Sequence, residues 1–463
     1  MSTPKPGSWA DVLAQGRASR FGLICLGVWL SAADSLVTAT IMPSVGADLG
    51  GYAYFGWATA GFLLGSVMAG ASSGLLAARF GLRRATAASA LLYAVGCLMS
   101  AAGPDIWTFL AGRVLQGIGG GWVAGLCSVA IGVMFPDRTL PKVYAAITAV
   151  WGVASLLGPM IGGLFADAGV WRWAFWSFAI QGVAVALTSL VMLPKGEDGE
   201  AGAGVAWTQL GLIAVGVTAI GLADLAGDAL RSGVLTLAGV AILAATVWID
   251  GRMTTRLLPR GSSNLRTVPG AAYAAMFLLT AASMGFSVYG PAILQTLAGL
   301  KALSAGYVIA AESLAWTLAG LAVSGLTGRW PTWMIRLGAV SATLGVALSI
   351  WAFPSGQVWP VIVAGCALGA GFGLSWAFMA QQLLAGLDET ERGIGAAGIS
   401  AVRLTGSAAG AAAAGVVANL TGLSKGLDVT SAQAAGVWVF ASVVPVSLLG
   451  VWAAWRMGQA RSA

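Results

Sequence analysis

Residues 20–43 read RFGLICLGVWLSAADSLVTATIMP: twenty-four positions with one charge, Asp34, between Arg20 and the closing Pro43. About 20 mainly apolar residues are enough to cross a hydrocarbon core as a helix. A carboxylate inside such a segment costs about 2.5–3.5 kcal/mol on insertion scales, so it marks ion or substrate handling unless packing explains it. The rest of the 463-residue chain repeats the pattern: 58% of residues are hydrophobic and only 9% charged, and mean hydropathy is +0.85. The composition excludes a soluble globule and specifies an all-α integral membrane protein.

Working outward, the sequence predicts fourteen spans: 20–43, 52–79, 83–102, 105–136, 140–166, 171–193, 205–226, 232–250, 269–298, 303–327, 331–352, 358–385, 393–421 and 432–456. They group as six, two and six. Residues 1–19 form an N-terminal segment, 20–193 a first bundle, 194–268 a linker region containing two extra spans, 269–456 a second bundle, and 457–463 a tail. Lys195–Val205 is Gly-rich and acidic, and Asp250–Gly270 carries four arginines with Pro259 and Gly261, so both read as linkers. Two bundles flanking a midplane site are a transporter architecture. The first apolar run is long and followed by many more, so it reads as a retained helix rather than a cleaved signal.

Basic residues sort by loop. With the N-terminus placed in the cytoplasm, inner segments hold Lys5, Arg17, Arg20, Arg79, Arg83, Arg84, Arg138, Lys142, Lys195, Arg252, Arg256, Arg260, Arg266, Arg329, Arg336, Arg392, Arg456 and Arg461; outer loops hold only Arg172, Arg231, Lys301 and Lys425. The positive-inside rule then puts both termini in the cytoplasm of a multi-pass cell-membrane protein. This topology also accounts for the net charge of +7 without nucleic acid as a partner. Trp107, Trp171, Trp173, Trp330, Trp333, Trp359 and Trp455 fall near predicted interfaces, as aromatic belts do. The chain lacks histidine, which removes histidine proton relays, Ser-His-Asp catalysis and histidine metal sites. Cys25, Cys97, Cys127 and Cys366 lie in apolar runs and read as small buried hydrophobes, with no disulfide framework and no metal spacing. No catalytic residues and no cofactor are expected.

Four motifs occur in order. Gly74-Leu-Leu-Ala-Ala-Arg79-Phe-Gly81-Leu-Arg83-Arg84 follows the second span. Arg113-Val-Leu-Gln116-Gly117-Ile-Gly119-Gly120 lies in the fourth, Gly158-Pro159-Met-Ile-Gly162-Gly163 in the fifth, and Trp171-Arg172-Trp173-Ala-Phe175-Trp176 opens the sixth. This set resembles the major facilitator superfamily of transporters. The last two motifs, with Asp34 and Pro43, resemble its fourteen-helix drug:proton antiporter subgroup, and Gln295, Gly299, Ser304 and Gly306 are similar to that subgroup's ninth-to-tenth helix region. There are departures: Ala78 stands where the family's loop carries aspartate, Leu36 and Ala39 replace Thr and Asn, Ala154 replaces the first glycine of the antiporter pattern, and Gly325-Leu-Thr-Gly328-Arg329 is a degenerate second copy of the loop.

The resemblance assigns a gating loop to Gly74, Arg79, Gly81, Arg83 and Arg84, although topology signalling alone would also explain its arginines. It assigns a bundle-interface hinge to Gly158, Pro159, Gly162 and Gly163. Physically, the proline removes a helix donor and the glycines admit a neighbouring helix closely, which ordinary small-residue packing also does.

At 1.5 Å per residue, Asp34 lies about 21 Å above the inner end of its span, and Arg113 on the descending fourth span reaches a similar depth. The family lines its cavity with these two helices, which implies that Asp34 and Arg113 face each other across the outer part of the cavity, as a proton switch or as a static ion pair. Glu312 and Arg403 both fall near the midplane and could pair or share the cavity. Trp57, Trp122, Tyr289, Trp316 and Trp376 are interior aromatics, available either for packing or for stacking on a cationic substrate. Asp224 reads as a solvated helix end. The expected activity is proton-coupled efflux of amphipathic, lipophilic or cationic small molecules by alternating access. The proton motive force would drive it, and the partners would be the bilayer, the substrate and protons, with the chain as a monomer. A lipid or glycolipid flippase on the same fold is the alternative.

Overall fold

Inside a bilayer no water is available to satisfy backbone N–H and C=O groups, so long apolar segments must close their hydrogen bonds internally as helices. The computed structural model describes residues 9–13, 17–136, 139–194, 204–223, 228–457 and 459, and those segments are helical almost throughout. The helices are α1 (Trp9–Leu13), α2 (Arg17–Leu49), α3 (Phe55–Ala102), α4 (Ile106–Met134), α5 (Leu140–Asp167), α6 (Arg172–Met192), α7 (Trp207–Leu222), α8 (Ala229–Asp250), α9 (Val268–Leu297), α10 (Ala302–Val323), α11 (Trp330–Ala352), α12 (Val358–Ala385), α13 (Glu389–Leu420) and α14 (Val429–Met457). Lys5, Arg138, Lys195, Asp224 and Arg461, and most of the Lys195–Val205 linker, lie outside the described residues.

Among the described residues, twelve helices are long and apolar enough to cross a membrane, against fourteen expected spans. Two places account for the difference. At 48 residues α3 would be about 72 Å long if straight, far more than a ~30 Å core needs. It breaks at Gly81, with φ 73° and ψ 149°, a backbone region that is essentially glycine-only. The chain doubles back there: Phe62 on the first arm and Tyr93 on the second lie against Gly117 and Gly119, two residues apart on α4. What sequence reading takes as a loop is therefore a single broken residue. The second place is α7, which at 16 residues falls short of the span length.

The architecture is two six-helix bundles, α2–α6 with α3 counted twice and α9–α14, plus the extra pair α7–α8. Helices in lipid associate through close packing of small residues rather than hydrophobic exclusion. At Gly117 and Gly121 a Cβ would run into the backbone of Phe62 and Ser66; at Gly112 and Gly119 it would meet Ser100 and Tyr93. The α4 glycines thus seat that helix between the two arms of α3. The first span's predicted stop at Pro43 is overrun: α2 continues to Leu49, with the Ala39 carbonyl lacking its usual donor.

Helices alternate between a near face, where α2 starts and α14 ends, and a far face. Several far-face ends are closed by polar caps. Asp105 caps α4 through Trp107 and Thr108, and the hydrogen bonds from Thr108 hold its carboxyl below the usual range. Trp171 Nε1 donates to Asp48 at 3.2 Å, Arg172 pairs with the same carboxylate, and Arg172 Nη2 donates to the Gly103 carbonyl at 3.3 Å. The Trp171-Arg172 motif therefore ties the far ends of α2, α3 and α6 together.

The extra pair leans on the α3–α13 side, with Gly221 of α7 against the Trp57 ring. Its near end is bound to the second bundle. Asp250 accepts from the Leu257 and Leu258 amides at 2.7 and 3.0 Å and from Gln209 at 3.0 Å, and Arg256 pairs with Glu391 at 2.7 Å.

The bundles touch in the far half. Gly56 sits under Ala411 and Gly415, Phe55 stacks on Tyr289 at 6.4 Å, Gly163 abuts Leu303, and Gly306 abuts Pro159 and Thr40. Toward the near face, Gly74 on α3, Gly152 on α5 and Gly393 on α13 face open space. These cross-bundle contacts gather in the far half, and the three glycines toward the near face have no neighbour against them.

Candidate functional site

The first charged constellation lies inside the N-terminal bundle. Asp34 from α2 and Arg113 from α4 are 0% and 1% exposed. Arg113 Nη1 donates to Asp34 Oδ2 at 2.7 Å and to Gln116 Oε1 at 2.9 Å, and Arg113 Nε donates to the Ala58 carbonyl at 3.2 Å. Gln116 Nε2 donates to Asp34 Oδ1 at 3.4 Å and to Cys97 Sγ at 2.9 Å, while Ser100 Oγ donates to Gln116 Oε1 at 3.2 Å. The guanidinium lies over the Phe62 ring at 4.6 Å and within 5.9 Å of the Phe175 ring. A buried ion pair holds only when its remaining donors and acceptors are also met, and this network meets them from α2, both arms of α3, and α4.

One expectation needs correcting. Asp34 and Arg113 do not face each other across a cavity; they touch directly in the bundle core, shut off from both faces in this conformation. The reason is steric: Gly27 of α2 lies against Cys127 and Val123 of α4, and Gly120 of α4 against Ser31 of α2, so the two helices approach too closely for a solvent layer. Gln116, Ser100 and Cys97 complete the site. Gln116 carries a sequence signal, lying one helical turn after Arg113; Ser100 and Cys97 carry none, because their helix folds back from elsewhere.

The second constellation is in the C-terminal bundle and is built differently. Glu312 is 9% exposed, and Ser287 Oγ donates to its Oε2 at 3.4 Å. Among the described residues it forms no ion pair, so the possible pairing with Arg403 is absent. Arg403 is half-buried on α13. Its guanidinium lies 5.7 Å from the ring of Trp151 on α5, across the bundle interface. Trp151 escapes sequence reading because a mid-helix tryptophan resembles any lipid-facing one.

The aromatics separate. Trp316, one turn from Glu312 on α10, stacks on Phe372 at 4.8 Å and lies 6.0 Å from Trp376. Trp122 donates from Nε1 to Ser72 at 2.9 Å, bracing α4 on α3. Tyr289 is fully buried in the far-half contact. Trp57 turns toward α7 rather than toward the space between bundles, which removes it as a cavity candidate; the docking of the extra pair takes that face.

The α5 motif sits at a three-helix contact. A Cβ at Gly158 would meet Leu36 at 2.7 Å and one at Gly162 the Val37 carbonyl at 3.0 Å, both on α2, while Gly163 and Pro159 turn to α10. Gln295 Nε2 adds a contact to the Thr40 carbonyl at 3.5 Å. In the gating loop, Arg79 lies 5.6 Å from the Phe80 ring, and among the described residues Arg79, Arg83 and Arg84 enter no ion pair. No cluster of metal-binding side chains occurs among the described residues.

Comparison with known proteins identifies the family. Residues 24–411 match the family model of the Major Facilitator Superfamily. The chain is similar to a protein of Mycobacterium tuberculosis described as a probable multidrug-efflux transporter, 30% identical over 455 residues and covering 92% of both chains. In fold it is similar to a D-xylose–proton symporter (TM-score 0.66, 17% identity, 96% of this chain and 98% of that one). It is also similar to a peptide transporter (TM-score 0.67, 15% identity, 99% of this chain and 98% of that one). With its paired bundles, its motifs in register and its membrane-length helices, the chain belongs to the Major Facilitator Superfamily and is a multi-pass membrane transporter.

Proposed function

We propose that the protein is a proton-coupled exporter of amphipathic, lipophilic or cationic small molecules, a fourteen-span antiporter of the cell membrane with both termini cytoplasmic. The near face is then the cytoplasmic one, and the conformation described is open to the cytoplasm. The observation that carries the reading is Asp34, a carboxylate with no exposure, held against Arg113 in a helix bundle that must move during transport. Similarity to a protein described as a probable multidrug-efflux transporter supports the substrate class.

In the mechanism, the two bundles rock about the midplane. The conformation described, with Asp34 enclosed against its arginine, is the state left after the proton has been given up to the cytoplasm. In this reading, opening the far side also shifts α2 relative to α4 within the bundle, and separating the pair changes the proton affinity of the carboxylate, since a neighbouring cation favours its charged form. A proton taken from outside then travels inward as substrate travels out. The membrane potential contributes about 2.3 kcal/mol per charge per 100 mV, enough for one proton to drive a useful gradient. Glu312, with no counter-charge and with aromatic rings one turn away, is the group that meets a cationic substrate or a second proton. The protein needs no cofactor and acts as a monomer.

The test is reconstitution. In proteoliposomes, an imposed proton gradient should drive uphill movement of a lipophilic cation such as ethidium, and a protonophore should stop it. Equal transport with and without the protonophore would remove proton coupling. Flipping of a fluorescent lipid with no movement of ethidium would replace the substrate class.

A further inference from the structure

Most helices here that begin with a capping side chain take it from their own sequence. Asp105 caps α4, Asp228 caps α8 and Thr267 caps α9. At α10 the capping position is Lys301, whose side chain has no acceptor and makes no cap. The two exposed amides of that first turn are met instead from the other bundle. Asp167, the last residue of α5, accepts from Ala302 N with Oδ1 at 2.8 Å and from Leu303 N with Oδ2 at 3.3 Å. A carboxylate at a helix N-terminus is favoured by both the unpaired amides and the helix dipole. This cap therefore exists only while the bundles touch.

Directly beneath it, Gly163 admits the Leu303 backbone and Pro159 meets Gly306, so the polar contact sits on a close-packed apolar seam. A second cross-bundle hydrogen bond closes the opposite side: Asn419 Nδ2 on α13 donates to the Ala53 carbonyl, in the turn before α3, at 2.8 Å. Between the two corners lies the Phe55–Tyr289 stack.

We infer that Asp167 is the latch of the far gate: by lending α10 the N-cap its own sequence lacks, it makes closure of the bundles and completion of that helix one event. When the gate opens, both amides and the carboxylate pass to water at the far face, so the fastening is reversible and modest, as a gate requires. The inference rests on alternating access but not on proton coupling or on the substrate.

Hydrogen–deuterium exchange of the full chain in lipid nanodiscs, without substrate, tests it. Loss of a capping side chain weakens its contact by an amount that shifts a two-state population about five- to tenfold. Asp167→Ala should speed exchange by about that factor, not only at residues 302–305 but also at the remote corner, residues 52–54 and 421–425. It should slow exchange at residues 389–396 of the near face. Asp167→Glu should restore most of the native pattern. Lys301→Asp, added to Asp167→Ala, gives α10 a cap of its own; it should protect residues 302–305 again while leaving the remote corner fast. Exchange altered at residues 302–305 alone, or a remote corner returned to native by Lys301→Asp, would overturn the latch and leave a local helix cap. Either result leaves the transport reading standing, because the measurement uses neither gradient nor substrate.

Discussion

The two bundles face the same problem, charge inside a membrane protein, and solve it in opposite ways. In the N-terminal bundle Asp34 and Arg113 meet at 2.7 Å, Gln116 and the Ala58 carbonyl take further hydrogen bonds with them, and Ser100 and Cys97 hold Gln116 in place. In the C-terminal bundle Glu312 has one long hydrogen bond from Ser287, and Arg403 has the Trp151 ring. A neutralised network belongs to the fold, and moving it takes a conformational change. A carboxylate without a cation is open to one arriving from outside. The same contrast appears in the loops: Gly81 breaks α3 within a continuous helix, whereas Gly328, at φ 68°, sits in open space.

The largest way to break the contrast is Arg113→Ala. It strands Asp34 in a dry core, and removing one partner of a buried pair costs about 3–5 kcal/mol; a thermal melt in detergent should show a large loss of stability. Next comes Gly81→Ala, expected to cost about 1–3 kcal/mol because its backbone region excludes a side chain. Gly328→Ala, in the same melt, should cost about 1–2 kcal/mol, the ordinary penalty for a left-handed residue. Glu312→Gln should lower transport of a cationic substrate about tenfold, or roughly 1.4 kcal/mol, relative to a neutral analogue, while its melt stays near native. An equal loss for both substrates would show Glu312 to be structural. The smallest effect is expected from Arg403→Ala: it leaves no carboxylate unpaired and should change stability by less than about 1 kcal/mol, the scale of the cation–π contact it removes.

Much of this was legible in the sequence, for physical reasons. Apolar runs of membrane length can form little but helices, so the span positions follow from composition. Depth along a helix is arithmetic, so the shared level of Asp34 and Arg113 follows from counting. Lateral position is different, because nothing local encodes it. Trp57 reads as a cavity aromatic until α7 is seen to cover it. Ser100 and Cys97 reach Gln116, which holds the ion pair, only because α3 folds back at Gly81, and the absence of a cavity there depends on how closely Gly27 and Gly120 let α2 and α4 approach. Asp167 carries no sequence signal, because its partner, the first turn of α10, is 135 residues away.

Substrate-induced proton release from proteoliposomes, compared between the native protein and Asp34→Asn, tests the account most directly. Asparagine keeps the shape and an acceptor for Arg113 but cannot give up a proton; it also removes the arginine's counter-charge, so release is read on protein that a melt shows to be folded. The account predicts proton release in the native protein and none in Asp34→Asn, with substrate still bound. Undiminished release in Asp34→Asn would contradict it and remove Asp34 from the coupling mechanism.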